Sequence, residues 1–268
     1  MSDPLAITSA KNPRVVAAAA LRDRRARDEA GLTLVDGVRE LSRALDGGAR
    51  VVEVFLDPDA GTSDAAAAAE RARAGGATLT PVSPSVIDRL SYGDRAEGVV
   101  ATVAIPDLAL ANLELPPDPL VLVLEAVEKP GNLGAVLRSA DGAGVDAVVL
   151  ADPRTDPFNP NAVRASLGTI FATRLAAAPS AEVRAWLGTA GVRILAARVD
   201  GAVDYADTDL RGGLAIVLGS EAGGLSDAWS GEGITAIRLP MLGVADSLNV
   251  SITAAVLAYE ARRQRGSR

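Results

Sequence analysis

The sequence contains no cysteine and no histidine among its 268 residues. Without cysteine there is no disulfide, no thiolate nucleophile and no Cys-ligated zinc or iron–sulfur site. Without histidine the usual general base near neutral pH is absent, and Ser-His-Asp catalysis and His-ligated metal sites are excluded. We expect no metal. An enzyme of this composition works with Arg, Asp, Glu, Ser, Asn and backbone dipoles. We expect a reactive cosubstrate to supply any difficult step.

Aromatic residues and long apolar runs are also scarce. Aromatics make up 3% of the chain against 49% hydrophobic residues, so the core must be built from Ala, Val, Leu and Ile. No run approaches the roughly 18 apolar residues of a membrane helix, and the N-terminus lacks the apolar core of a signal peptide. We therefore expect a cytoplasmic protein with no membrane partner.

Positive charge is in deficit overall but concentrated near the N-terminus. The formal net charge is −7, which alone argues against a nucleic-acid binder. Residues 11–27 nevertheless hold six basic residues against one acidic residue. We predict a helix over residues 15–30, on which Arg14, Arg22 and Arg25 share a broad face while Arg24 points elsewhere. The segment is either a solvated helix with ordinary surface arginines or a patch that binds RNA phosphates.

A proline cluster divides the chain. Four prolines between residues 106 and 119 interrupt both strands and helices, which predicts a linker over 106–118. Residues 1–105 have the pattern of a small α/β domain. Residues 119–268 alternate apolar runs with helical segments, which is typical of a parallel sheet covered by helices. Strands are predicted over residues 51–56, 147–151, 170–175, 193–197 and 214–218.

Three polar, glycine-rich loops follow predicted strands in the second part, over residues 125–140, 218–226 and 239–251. Ligands of parallel sheets bind beyond the carboxyl ends of the strands, so these loops predict one pocket walled by backbone amides. The sequence over Gly142–Ala147 also matches the dinucleotide pattern G-x-G-x-x-A. It follows a helix and precedes a strand, however, and this reversed order excludes an NAD site.

The same loops carry specific motifs: PGNLGAVLRSA from Pro130, LGSEAGGLS from Leu218, LPM from Leu239 and SLNVS from Ser247. In this order and spacing they resemble the three motifs of the SpoU (TrmH-type) RNA ribose 2′-O-methyltransferases of the SPOUT class. Arg164-Ala165-Ser166 with Gly168 is similar to a further family segment. The resemblance implies a parallel-sheet SPOUT domain with a C-terminal trefoil knot, preceded by a small α/β RNA-binding domain. It also implies a homodimer that uses S-adenosyl-L-methionine (SAM).

The resemblance further assigns roles to particular residues. The implied catalytic residues are Asn132, Arg138, Glu221, Ser247 and Asn249. The implied cofactor-binding residues are Ala197, Leu218, Gly219, Leu239, Met241 and Leu248. The RNA-binding candidates are Arg164, Arg14, Arg22 and Arg25.

Several of these roles have alternatives. Arg138 is either the base for the ribose hydroxyl or a cation that stabilises the alkoxide and holds phosphate, because free Arg is effectively never deprotonated. Glu221 is a second candidate proton acceptor. Asn132 and Ser247 also suit helix caps.

The substrate implied by the resemblance is RNA. The separate N-terminal domain favours ribosomal RNA over transfer RNA. The alternatives are a transfer RNA 2′-O-methyltransferase and a non-enzymatic RNA-binding protein that retains the knotted fold. Some family members confer antibiotic resistance, a role that no residue of this chain indicates by itself.

Overall fold

The structure, a computed structural model, describes residues 6–60, 62–92 and 97–266. The chain forms two compact units. The first contains the described residues up to Pro106 together with Pro157–Ala172, and the second contains Asp107–Asp156 with the described residues from Thr173 onward. The sequence patterns kept residues 119–268 together, whereas Pro157–Ala172 belongs to the first unit.

The first unit is built around a four-stranded sheet with the order β1-β4-β2-β3. In this sheet β4 pairs antiparallel with β1 and β2, and β2 pairs parallel with β3. Its strands are β1 (Leu32–Asp36), β2 (Val51–Leu56), β3 (Thr78–Pro81) and β4 (Val99–Ala104). Its helices are α1 (Pro13–Ala20), α2 (Arg24–Ala30), α3 (Val38–Asp46), α4 (Ser63–Ala74), α5 (Pro84–Leu90) and α7 (Pro160–Ala165).

The single helix predicted over residues 15–30 is wrong, because α1 ends at Ala20 and α2 begins at Arg24. Asp23 is the N-cap of α2, and its carboxylate accepts a hydrogen bond of 2.9 Å from the backbone N–H of Arg25. The buried Arg27 donates to the carbonyl oxygens of Leu21 and Arg22, at 2.7 and 2.9 Å, and so fixes the corner between the helices. Arg22 therefore shares no helical face with Arg25.

The strand predicted over residues 170–175 is also wrong. Thr169–Phe171 forms a 3-10 turn, and strand β7 begins only at Leu175. The backbone passes so close to α3 that a Cβ at Gly168, whose φ is +81°, would lie 3.0 Å from Cα of Glu40. Arg43 of α3 donates a 2.8 Å hydrogen bond to the carbonyl oxygen of Leu167. Packing against α3 has overridden the local preference of this apolar segment for strand.

The second unit confirms the expected α/β architecture. Its seven strands are all parallel, in the order β7-β6-β5-β10-β8-β11-β9. The strands are β5 (Leu120–Glu125), β6 (Ala147–Ala151), β7 (Leu175–Ala178), β8 (Arg193–Ala197), β9 (Val203–Asp204), β10 (Leu214–Leu218) and β11 (Ile234–Arg238). The helices are α6 (Pro130–Ala143), α8 (Ser180–Thr189) and α9 (Val250–Arg265).

The segment predicted as a linker contributes to the second unit's core. Leu110, Leu113 and Leu115 pack against the apolar cluster around Trp229. Within the described ranges, no helix combines the length and the hydropathy needed to cross a bilayer. The trefoil knot implied by the resemblance stays a prediction.

Candidate functional site

A large cavity lies in the second unit at the carboxyl ends of the neighbouring strands β10, β8 and β11. Its volume is about 770 Å³, within the range of pockets that hold cofactors. Because these strands are parallel, the loops that follow them meet at one edge of the sheet. All six residues predicted to bind the cofactor line this cavity: Ala197, Leu218, Gly219, Leu239, Met241 and Leu248.

The loop after β10 is a closed turn. Ser220 and Gly224 exchange backbone hydrogen bonds of 3.1 and 3.0 Å, and the hydroxyl of Ser220 accepts from the N–H of Gly223 at 3.1 Å. A Cβ at Gly219 would lie 2.1 Å from the carbonyl carbon of Gly224. The turn can therefore close only with glycine at position 219. We call residues 219–225 the glycine turn.

Glu221, within the glycine turn, is the centre of a polar cluster with Lys129, Asn132 and Asn249. One carboxylate oxygen accepts hydrogen bonds from the side-chain amides of Asn132 at 2.5 Å and Asn249 at 2.6 Å. The other accepts from the ammonium of Lys129 at 2.5 Å. Glu221 lines both the large cavity and a neighbouring one of about 300 Å³ that Lys129 and Asn132 also line. The structure thus joins three of the five predicted catalytic residues by direct contact.

The electrostatics of the cluster argue against Glu221 as the proton acceptor. The hydrogen bond from Lys129, and after it the one from Asn132, lowers the pKa of the Glu221 carboxyl below its usual value. The same contact raises the pKa of Lys129. A general base works best with a pKa near the operating pH, so a carboxylate whose pKa is lowered is a weak base. Glu221 instead fixes the two Asn side chains.

Replacing Lys129 with Met is expected to raise the pKa of Glu221, because the largest cause of its lowered value is removed. Since the folded pKa is lowered, ionised Glu221 contributes stability above its unfolded pKa, and this contribution is lost as the pH falls through the folded pKa. In Lys129→Met the folded pKa lies closer to the unfolded pKa, so this contribution should be smaller and its loss should be complete at a higher pH. Carboxyl-carbon NMR titration measures the pKa directly. Lys11→Met, which changes the only other lysine, is the control, and an unchanged Glu221 pKa in Lys129→Met would contradict the account.

The helix caps differ from the expected ones. The N-cap of α6 is Lys129, which makes no side-chain capping bond, and Asn132 lies inside the first turn, so Asn132 is not a cap. The N-cap of α9 is Asn249 rather than Ser247, and its side-chain oxygen accepts from the N–H of Ser251 at 2.9 Å. Asn249 therefore uses its oxygen for the helix and its amide for Glu221. Ser247 is exposed and lines the large cavity.

Arg138 lies on α6, about 9 Å along the helix axis from Asn132. Its side chain is exposed, and among the residues that the structure describes it has no hydrogen-bonding or ion-pair partner. The structure does not join it to the Glu221 cluster. An unpaired guanidinium on the helix that carries Asn132 is available for a substrate group.

The RNA-binding candidates are mostly engaged within the first unit. Arg14 contacts Glu53 at 2.5 Å and the hydroxyl of Thr80 at 2.6 Å. Arg22 donates to the three carbonyl oxygens at the end of α5, at 2.7 to 2.9 Å. Arg164 lies 4.0 Å from the buried carboxylate of Asp36. Arg25 is the most accessible, with its side chain 86% exposed and paired with Glu29 one turn along the helix.

Sequence reasoning missed several residues of the site. Lys129 was not predicted, because its partner is 92 positions away in the sequence and a single lysine carries no motif. Charged residues that line the large cavity were also missed, since they lie at the end of β11 or in the loops after β8 and β11, outside the quoted motifs. They are Arg198, Asp200, Arg238 and Asp246.

Comparison with known families decides what this site belongs to. The model of the SpoU rRNA Methylase family matches residues 119–259, more than half of the chain. The chain belongs to the SpoU rRNA methylase family. A second model, the MRM3-like substrate binding domain, matches residues 12–101 of this SpoU methylase.

Similarity to individual SpoU methylases extends over nearly the whole chain. A 23S rRNA (uridine(2479)-2′-O)-methyltransferase of Streptomyces viridochromogenes is 32% identical over 92% of this chain and 88% of its own length. A 23S rRNA (guanosine(2553)-2′-O)-methyltransferase of Bacillus subtilis (strain 168) is 27% identical over 96% of this chain and 98% of its own length. The crystal structure of an AdoMet-bound rRNA methyltransferase from Sinorhizobium meliloti has a TM-score of 0.89 and 30% identity, covering 98% of this chain and 99% of that one.

Proposed function

We propose that this SpoU methylase transfers a methyl group from SAM to a ribose 2′-hydroxyl of ribosomal RNA. The observation that carries the proposal is the contact of Glu221 with Asn132 and Asn249 beside a cavity that contains every predicted cofactor residue. The two curated relatives act on a uridine and on a guanosine of 23S rRNA. The ribose, which these two targets share, is therefore the reacting part of the substrate.

The large cavity suits SAM. The turn at Gly219, where a Cβ would collide with Gly224, brings backbone N–H and C=O groups to the cavity wall, and such groups can satisfy the hydrogen-bonding edge of adenine. Leu218, Leu239 and Leu248 provide apolar surface for the faces of the base. When bound, SAM supplies a sulfonium methyl, an electrophile that reacts in line with an incoming oxygen. The residues of this chain then need only to position the ribose and stabilise charge.

Arg138 performs the electrostatic part of the reaction. The guanidinium stays protonated at every physiological pH, so it acts as a cation and not as a base. Placed beside the ribose, it stabilises the negative charge that develops on the 2′-oxygen as its proton is lost to water, and it holds the adjacent phosphate through its two-pronged donor face. Asn132 and Asn249, fixed by Glu221, orient the ribose.

The hydrogen bonds of Glu221 at the cavity favour an enzyme over a non-enzymatic RNA-binding protein. The carboxylate of Glu221 lines the cavity and is held by three donors, an arrangement that RNA binding alone does not need. Ribosomal RNA is favoured over transfer RNA by the two curated relatives and by the match to a substrate-binding domain.

The active form that we propose is a cytoplasmic homodimer. The loop after β11 and helix α9 carry several exposed apolar residues of the second unit: Leu242 and Val244 are fully exposed, and Ile252 and Tyr259 are half-exposed. Exposed apolar surface of this kind marks interaction sites. Light scattering of the purified chain should give twice the mass of one chain, and Leu242→Asp with Val244→Asp should reduce it to one. A wild-type mass of one chain at micromolar concentration would contradict the dimer.

Within residues 11–27, Arg25 is the clearest test of RNA capture. Arg25→Glu is expected to weaken RNA binding and to reduce the slope of log affinity against log salt by roughly 0.7 to 0.9, the value of one phosphate contact. Arg24→Glu is the matched control, since Arg24 also pairs with an acid four residues along α2. Substitution of Arg22 would confound the test, because it would remove the hydrogen bonds from Arg22 to the carbonyl oxygens at the end of α5. Equal effects of the two variants would indicate general charge repulsion and no phosphate contact at Arg25.

Methyl transfer is tested with the full chain, because Pro157–Ala172 lies in the middle of the second unit's sequence but packs in the first. SAM carrying a deuterated methyl group is incubated with the protein and either unmodified 23S rRNA or transfer RNA transcripts. Mass spectrometry of the nucleosides should detect a labelled 2′-O-methylnucleoside from rRNA alone. Label in transfer RNA alone would assign the other substrate, and label in neither would overturn the enzyme.

A further inference from the structure

Glu125 is a buried carboxylate that none of the family motifs includes. It is the last residue of β5 and only 4% exposed. One oxygen accepts from the hydroxyls of Ser226 at 2.6 Å and Ser180 at 3.0 Å, and the other accepts from the backbone N–H of Ser226 at 2.8 Å. Its hydrogen-bonding partners among the described residues are all uncharged.

Ser226 is bound in one orientation. It is the N-cap of the 3-10 turn Asp227–Trp229, where its hydroxyl oxygen accepts from the N–H of Ala228 at 3.3 Å. Because that contact takes a lone pair, the hydroxyl hydrogen is free to point at Glu125. The backbone N–H and the hydroxyl of Ser226 thus both donate to Glu125.

This anchor lies where the glycine turn ends. The turn leaves β10 after Leu218, carries Gly219 to the cavity wall and Glu221 to the Asn side chains, and returns to the core at Ser226. Its start is fixed by the pairing of β10 with both neighbouring strands. Its end is fixed by the two hydrogen bonds from Ser226 to Glu125.

We propose that Glu125 is a positioning residue of the methyl-transfer site, which holds the glycine turn in place through Ser226. The expected effect on methyl transfer rests on the proposed function. The anchoring of the glycine turn by Glu125 rests on the hydrogen bonds alone. A buried carboxylate without a cationic partner carries a desolvation cost. Among the described residues, its hydrogen bonds besides those from Ser226 come from Ser180, at the positive end of α8. The desolvation cost of Glu125 is explained if methyl transfer requires the glycine turn to be held in place.

The experiment compares three variants of the full chain. Ser226→Ala removes the hydroxyl bond from the turn to Glu125. Glu125→Gln replaces one accepting oxygen with an amide NH₂, which opposes the donors of Ser226 or Ser180. Ser180→Ala is the matched control, because it removes one hydroxyl bond to the same carboxylate and leaves both bonds from Ser226 intact.

Two readouts separate positioning from general stability: SAM affinity by calorimetry, and hydrogen exchange of amides 219–226 without cofactor. Ser226→Ala and Glu125→Gln should weaken SAM binding about 10-fold or more and speed exchange in the turn. Ser180→Ala should change the SAM affinity and the exchange rates of the turn by less than about two-fold, even if it lowers the melting temperature as much as the other two variants do. The double variant Glu125→Gln with Ser226→Ala should be no worse than the worse single variant, because both break one contact.

The inference is overturned if Ser180→Ala and Ser226→Ala have equal effects on turn exchange, or if neither Ser226→Ala nor Glu125→Gln changes it. Should Glu125→Gln fail to fold, Ser226→Ala alone decides the question. If the wild-type chain binds no SAM, the proposed function fails, while the exchange measurement still decides whether Glu125 anchors the turn.

Discussion

Replacing Gly219 with Val is expected to abolish SAM binding, with a loss of at least about 100-fold in affinity, equivalent to roughly 2.8 kcal/mol. The Cβ would lie 2.1 Å from the carbonyl carbon and 2.2 Å from the carbonyl oxygen of Gly224. Both are backbone atoms, so no side-chain rotation relieves the collision, and the glycine turn must open. The substitution therefore acts on the turn itself.

Gly223→Ala is the control for this substitution. Its Cβ would meet only the hydroxyl of Ser220, at 3.4 Å, which is ordinary contact. Calorimetry with the full chain should give near wild-type affinity for Gly223→Ala and no measurable heat for Gly219→Val. The smaller change Gly219→Ala should already be severe. Equal affinity of Gly219→Ala and Gly223→Ala would show that the turn tolerates a side chain and that backbone closeness at Gly219 is not required.

Replacing Arg138 with Ala is expected to lower kcat by roughly 100- to 1,000-fold, the usual cost of losing a group that stabilises charge in the transition state. The melting temperature and the SAM affinity should change little, because Arg138 is exposed and its side chain makes no hydrogen bond or ion pair with a described residue. Arg138→Lys should also be poor, since an ammonium does not reproduce the two-pronged guanidinium. Single-turnover methylation of rRNA measures the effect.

Arg174→Ala is the matched control for Arg138. Arg174 is a second exposed arginine of the second unit whose side chain makes no hydrogen bond or ion pair with the residues described. Its loss should leave kcat unchanged. Transfer by Arg138→Lys at the wild-type rate would mean that charge alone matters, and full activity of Arg138→Ala would remove Arg138 from the mechanism.

The elements that the sequence predicted best are short, largely buried strands. The predicted strands 51–56, 147–151, 193–197 and 214–218 agree with the structure at both ends. Each is a short, mostly apolar run that is stable when packed in a sheet, and nearby polar or glycine residues mark its ends. The motif residues of the cavity were predictable for a different reason, namely that their glycines and amides occur in a recognisable order.

What the sequence could not predict depends on distant partners. Arg22 had the pattern of a helix surface residue, but its guanidinium binds the end of a helix almost 70 positions away. Residues 170–175 have the sequence pattern of a strand, but α3 packs against the segment just before them. Ser247 and Asn249 are both suitable caps; Asn249 is the cap in the structure, and its amide also reaches Glu221. Local propensity is a weak prior when tertiary contacts of this kind compete with it.

We expect this chain to methylate a ribose 2′-hydroxyl of ribosomal RNA through the site around Asn132, Arg138 and Glu221. The most direct measurement is a nucleotide-resolution map of 2′-O-methylation in rRNA from cells that carry the gene, cells that lack it, and cells that carry Arg138→Ala. We expect one rRNA position to be methylated only with the wild-type chain. Identical maps in all three strains, or a mark that persists with Arg138→Ala, would contradict this expectation.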